Sequence, residues 1–188
     1  MTALAQTLWS HIRTVPDFPK KGICFYDLTP LFVKELDLLT DALIAAIPES
    51  QLQQVESFVA VEARGFVLAT LLAQRLQKGL LLVRKAGKLP PPVECVGYSL
   101  EYGSDQLEMS AQIEAQKVIL VDDVLATGGT LKAVNQLCQK CGHQVLGAVI
   151  LLDLPDLHAD LGLSVWHVLD NKSCLLYTSD AADEEDSV

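Results

Sequence analysis

Val118 to Thr130 reads VILVDDVLATGGT, and this stretch decides the fold. Val118-Ile119-Leu120-Val121 is an apolar, mostly β-branched run of the kind that forms a strand buried on both faces. Asp122 and Asp123 stand at its carboxyl end, a turn containing Gly128 and Gly129 follows, and Thr130 opens an amphipathic helix. In open α/β sheets the ligand crevice lies outside the carboxyl ends of the strands. The acids and the glycines therefore stand where a site is expected.

The residue types in that turn suit a phosphorylated sugar. Gly128 and Gly129 let the backbone approach a ligand closely and reach positive φ. Their N–H groups, together with the start of the helix, form an anion site. Thr127 and Thr130 add hydroxyl donors. Asp122 and Asp123 repel phosphate but accept hydrogen bonds from sugar hydroxyls. The spacing matches neither G-x-G-x-x-G nor G-x-x-x-x-G-K-[ST], so dinucleotide and P-loop chemistry lose support.

Working outward, short apolar runs alternate with helical patterns. Leu4, Leu8 and Ile12 share one helical face, and so do Leu36, Leu39, Leu43 and Ile47 within a helix expected over Glu35 to Ile47. Phe58 to Val61, Leu80 to Val83, Val145 to Leu152 and Ser164 to Leu169 read as strands, and Phe66 to Leu76 and Leu131 to Cys141 as helices. Proline and glycine between Pro16 and Pro30 exclude a long helix there. After Pro90-Pro91-Pro92 the chain is polar and mixed, with short strands expected around Tyr98–Tyr102 and Leu107–Met109. The pattern predicts an α/β fold with a mostly parallel central sheet flanked by helices.

The 188 residues fit one domain. Half are hydrophobic and mean hydropathy is +0.29, enough for a sizeable core. No apolar run approaches the length of a membrane span, and the start lacks the pattern of a signal peptide. The net charge of −10 argues against a nucleic-acid partner, which demands a basic footprint. Residues 177–188 hold five acids and no base, an acidic tail outside a domain expected over 1–176. The five cysteines show no disulfide framework, so a reducing cytoplasm is expected. Cys138 and Cys141 form a lone CxxC on the apolar side of a helix and read as core thiols.

A strand, two acids and ATGGT resemble the phosphoribosyl pyrophosphate motif of the type I phosphoribosyltransferases. The form VDDVLATGGT resembles their adenine phosphoribosyltransferase branch. PDFPKKGICFYDLTP (Pro16–Pro30), VEARGF (Val61–Phe66), RKAGKLP (Arg84–Pro90) and YSLEYG (Tyr98–Gly103) resemble that branch's segments in the same order. The resemblance implies the type I fold, transfer of 5-phosphoribosyl to N9 of adenine giving AMP and pyrophosphate, and a homodimer. It implies Mg²⁺ held mainly by substrate and water, with no dedicated metal cluster.

By the same resemblance, Ala126, Thr127, Gly128, Gly129 and Thr130 hold the 5′-phosphate, and Asp122 and Asp123 meet the ribose hydroxyls. Ala63, Arg64, Arg84, Lys88 and Tyr102 serve the pyrophosphate, and the loop at Glu62–Gly65 often carries a non-proline cis peptide in the family. Val93 to Gln106 is expected to be a mobile catalytic loop. Within it, Glu101 exchanges a proton with purine N7. Phe25 stacks on adenine while the backbone of Ile23, Cys24 and Phe25 reads its edge. Tyr26 departs from the family, where arginine is common before the conserved-type Asp27. YSLEYG and the negative charge favour the transferase over a ligand-sensing regulator on the same fold.

Overall fold

The apolar runs become the middle of one sheet. The computed structural model describes residues 2–99 and 104–172. In chain order the elements are α1 (Ala3–Ser10), β1 (Arg13–Pro16), β2 (Cys24–Asp27), α2 (Thr29–Lys34), α3 (Leu36–Ala46), α4 (Glu49–Leu52), β3 (Ser57–Val61), α5 (Gly65–Leu76), β4 (Gly79–Lys85), β5 (Val93–Ser99), β6 (Ser104–Ser110), β7 (Lys117–Leu125), α6 (Gly129–Lys140), β8 (Gln144–Asp153) and β9 (Val165–Asp170). Glu101, Tyr102 and the acidic tail lie outside the described residues.

Seven strands form the main sheet in the order β5-β6-β4-β3-β7-β8-β9. The β3–β4, β3–β7, β7–β8 and β8–β9 pairs are parallel. Within this sheet, among the described residues, the β4–β6 and β5–β6 pairs run antiparallel. The mostly parallel sheet flanked by helices is thus as the alternation of runs predicts.

β3 reads SFVAV and is buried throughout, because it is covered on both faces. Phe58 and Ala60 join a core with Leu8 of α1, Leu39 and Leu43 of α3, and Leu68 and Leu72 of α5. Val59 and Val61 face the other way, into a core with Leu131, Val134 and Leu137 of α6. Period-2 alternation in the strand divides the two layers. From β3 the chain moves outward to β4 on one side, while β7 leads to β8 and β9 on the other. The reversal of strand order between β3 and β7 is the topological switch point, where a ligand crevice belongs.

Gly65 makes that junction tight. A Cβ there would sit 2.8 Å from the Val121 carbonyl oxygen, so only glycine lets the start of α5 lie against β7.

Two expectations are corrected. Val93 to Gln106 is not a loop along its described length: Val93–Ser99 pairs antiparallel with Ser104–Ser110 as a hairpin. The strand expected at Tyr98–Tyr102 accordingly starts earlier, at Val93. The polar composition conceals it, because Val96, Leu107 and Met109 supply the buried face against α6. The second correction concerns β7, which continues past Val121 through both aspartates to Leu125. The turn after it is correspondingly short.

A separate two-stranded sheet of β1 and β2 holds the Pro16–Pro30 region. Pro30 falls near the start of the short helix α2, where a missing N–H costs nothing. Among the described residues, no helix is long and apolar enough to cross a membrane.

Candidate active site

Ala126 and Thr127 lead from β7 to Gly128, which adopts φ +76° and forms the N-cap of α6. The positive φ of Gly128 favours glycine, while a Cβ there would meet only the tip of the Leu161 side chain. Gly129 lies within the helix, which opens one residue before Thr130. The first-turn N–H groups of α6 have no side-chain cap. Such groups form a site for an anion. They border a cavity of about 90 Å³ lined by Asp122, Ala126, Thr127, Gly128, Thr130 and Ile150, among others.

Asp122 lines the cavity, with its Oδ1 also beside Gly65 at the start of α5, and Asp123 pairs with Arg64, Nε to Oδ2 2.6 Å. Asp122 Oδ1 also accepts the Asp123 N–H at 2.9 Å. Burial, then the neighbouring Asp123 charge, pushes the Asp122 carboxyl well above the usual carboxylate range.

The second loop leaves β3 at the switch point. Its Glu62–Ala63 peptide is cis, and Arg64 caps α5. Besides its contact with Asp123, the Arg64 guanidinium lies over the Phe25 ring, 5.4 Å from the centroid. Phe25 is half-buried and meets Phe18 edge-on at 5.1 Å. Phe25, Arg64 and Asp123 thus form a continuous wall joining three segments far apart in sequence.

Ile23 and Cys24 are exposed beside Phe25. The Ile23 N–H donates to Lys20 O at 3.1 Å, and its carbonyl accepts from Phe18 N–H at 3.2 Å, so both are engaged within the turn. Tyr26 points away from Phe25 and packs edge-on against Trp9, with centroids 5.9 Å apart. At this position the chain has an aromatic core contact in place of a cation. Asp27 accepts from Arg13 Nη2 at 2.9 Å and from the Thr29 N–H at 3.0 Å.

Arg84, at the end of β4, pairs with Glu62, Nε to Oε2 3.3 Å. Its Nη1 donates to the Lys88 carbonyl at 3.4 Å. The Lys85 N–H, the Arg84 pair and Lys85 charge hold Glu62 below the usual carboxylate range against the cost of burial. Lys88 is exposed on the turn that follows. Sequence reasoning missed the residue under that turn, Glu108 of β6. Its carboxylate accepts the N–H groups of Gly87 at 2.9 Å and of Lys88 and Leu89 at 2.6 Å each. An acid between the buried Leu107 and Met109 was the available signal.

Asp122 and Asp123 are the described acids that border the crevice and could meet a hard cation. Asp122 offers carboxylate oxygen at the cavity wall. Among the described residues, no three His, Cys, Asp or Glu side chains gather as a cage. Cys138 is buried, which together with Cys141 pushes its thiol up to about 12, and Cys141 is half-buried at the helix end. A thiol so raised stays protonated and packs as a small hydrophobe.

An anion-ready helix start and a cationic loop, set on either side of the switch point of a parallel sheet, define a phosphoribosyltransferase site. Residues 34–172 match the phosphoribosyl transferase domain family. The chain is 40% identical over 184 residues to an adenine phosphoribosyltransferase of Rhodopirellula baltica, covering 95% of this chain and 85% of that protein. The crystal structure of adenine phosphoribosyltransferase from Rhodothermus marinus superposes with a TM-score of 0.79 at 40% identity, covering 89% of this chain and 98% of that one. The Saccharomyces cerevisiae enzyme, complexed with an imino-altritol bisphosphate and adenine, gives 0.82 at 31% identity, covering 90% and 100%. The chain belongs to the adenine phosphoribosyltransferases, enzymes of the pentosyltransferase class.

Proposed function

We propose that this chain transfers the 5-phosphoribosyl group from phosphoribosyl pyrophosphate to N9 of adenine, giving AMP and pyrophosphate. The observation that carries this reading is the 2.6 Å contact of Arg64 with Asp123. It ties the loop after β3 to the end of strand β7, which leads into the 126–128 turn, so that two anion sites border one crevice.

Ala126 to Thr130 hold the 5′-phosphate on the N–H groups of α6. Asp122 accepts a ribose hydroxyl from the cavity wall, and Asp123 a second one from beside Arg64. Ala63, Arg64, Arg84, Lys88 and Tyr102 receive the pyrophosphate; a guanidinium fork suits phosphate oxygens. Arg64 offers more donors than its Asp123 contact uses. Phe25 presents a face for the purine, with Ile23 and Cys24 at the base edge.

As pyrophosphate departs, positive charge builds at C1′. By the YSLEYG resemblance, Glu101 and Tyr102 act at the reacting carbon, where exclusion of water would protect the cation from hydrolysis. Glu101 accepts the N7 proton of the adenine N7–H tautomer as N9 bonds to C1′ and the C1′–O bond to pyrophosphate breaks, which makes N9 the better nucleophile. Mg²⁺ would be held chiefly by substrate oxygens and water, and when bound would supply charge neutralisation for the departing pyrophosphate. Asp122 and Asp123 are the residues that would meet it through the ribose.

A homodimer and a cytoplasmic setting complete the reading. Four described cysteines are free thiols, which suits a reducing compartment. Release of AMP from adenine and phosphoribosyl pyrophosphate with Mg²⁺, against a panel of other purines, tests the reading; AMP is expected from adenine.

A further inference from the structure

We propose that Glu108 is a positioning residue for pyrophosphate binding, holding the turn that presents Lys88. The inference rests on the assignment of Lys88 to pyrophosphate above. Glu108 is 3% exposed, yet its satisfaction is complete within the main chain of a single turn. Oε1 accepts the N–H groups of Lys88 and Leu89, and Oε2 that of Gly87. Bonds of this kind, short and to a charged acceptor, are the strong ones. Gly87 sits at φ +81°, so the turn curls its amides toward one point.

Three convergent N–H groups form a nest that would itself attract an anion. Glu108 fills that nest from behind. The backbone is thereby unavailable to phosphate, and the turn offers its exposed lysine side chain instead. Glu108 also stands opposite Arg84 across β4–β6 and opposite Cys95 across β5–β6. One carboxylate thus fastens the cationic turn to the antiparallel pair β5–β6. On the far side Glu62 does the corresponding work for Arg84 and the Lys85 amide.

Glu108→Gln keeps the shape and replaces one acceptor oxygen by a donor facing an N–H. KM for phosphoribosyl pyrophosphate is expected to rise roughly tenfold or more, the scale of a lost charged hydrogen bond. KM for adenine is expected to stay unchanged. In a Lys88→Ala background the same substitution is expected to change KM by less than about threefold, since a residue acting through Lys88 has nothing left to act on. Should the glutamine variant not fold, Glu108→Asp, which keeps the charge but draws it back by one methylene, carries the same expectation. An unchanged KM for phosphoribosyl pyrophosphate, or an equal effect with and without Lys88, overturns the proposal. If Lys88→Ala alone leaves that KM unchanged, the pyrophosphate assignment itself fails.

Discussion

Asp122 carries the sharpest conflict between stability and use at the level of single residues. Its ionised form is disfavoured by burial and by Asp123, so the folded protein holds its proton more tightly than the unfolded chain does. The sign follows: this group favours folding below its ordinary value of 3.8, and the advantage is lost as pH rises through the raised folded value. Asp122→Asn removes the charge and keeps Oδ1 for the Asp123 N–H. Near neutral pH it is expected to raise Tm by about 2–4 °C, the change that roughly 1 kcal/mol gives a domain of this size. Affinity for phosphoribosyl pyrophosphate should fall about tenfold as a charged acceptor is lost. Thermal melts and substrate titration check the two together; a variant that melts lower and binds as well as the parent contradicts the assignment. The sequence made Asp122 and Asp123 legible as a pair. It concealed that one lines the cavity while the other is paired with Arg64, because that depends on β7 continuing through them.

The segment after β8 acts as an element. Leu161 lies against Gly128, and the chain leading to it is pinned where His158 Nε2 meets Asp153 Oδ1 at 2.8 Å. Burial works against the His158 cation, but the Asp153 hydrogen bond and the Ala159 carbonyl outweigh it and raise the histidine above its ordinary value. A raised histidine stabilises the fold fully below about 6.5 and loses that contribution as pH rises through its folded value. His158→Asn should therefore melt below the parent at pH 6, by about 2–4 °C, and the gap should narrow at pH 9. Melts at the two pH values decide it; a gap that is the same at both, or wider at pH 9, would remove the ion pair from the account. Nothing in the sequence marks this contact, since four scattered histidines show no spacing. The hairpin β5–β6 was half-visible: Leu107 and Met109 alternate with Glu108 as a strand does, but Val93–Ser99 offers few apolar residues to announce its partner.

At the scale of the whole molecule, one face stands out. β4 pairs with β6 only at Arg84 and Lys85, so along Gly79–Val83 that edge has no strand partner among the described residues. Leu80 and Leu82 are 37% and 39% exposed on the side of β4 opposite Leu81 and Val83, and Val67 of α5 is 41% exposed. An apolar surface bordering the Arg84 cluster supports the proposed homodimer. Solution mass should be twice the chain mass of 20.5 kDa, and Leu82→Lys should halve it. A parent protein that runs at the single-chain mass rules the dimer out.

The architecture was the most legible part, because buried parallel strands are short and apolar and their helices show a 3.6 period. The site loops were legible as motifs. Their joining through Phe25, Arg64 and Asp123 was not, since it depends on the fold bringing distant segments together. That joined crevice is the central claim. Its most direct test is the folded protein incubated with phosphoribosyl pyrophosphate, Mg²⁺ and each purine in turn, with nucleotide and pyrophosphate both measured. AMP and pyrophosphate in equal amounts from adenine are predicted. Folded protein that yields no AMP from adenine would contradict the account.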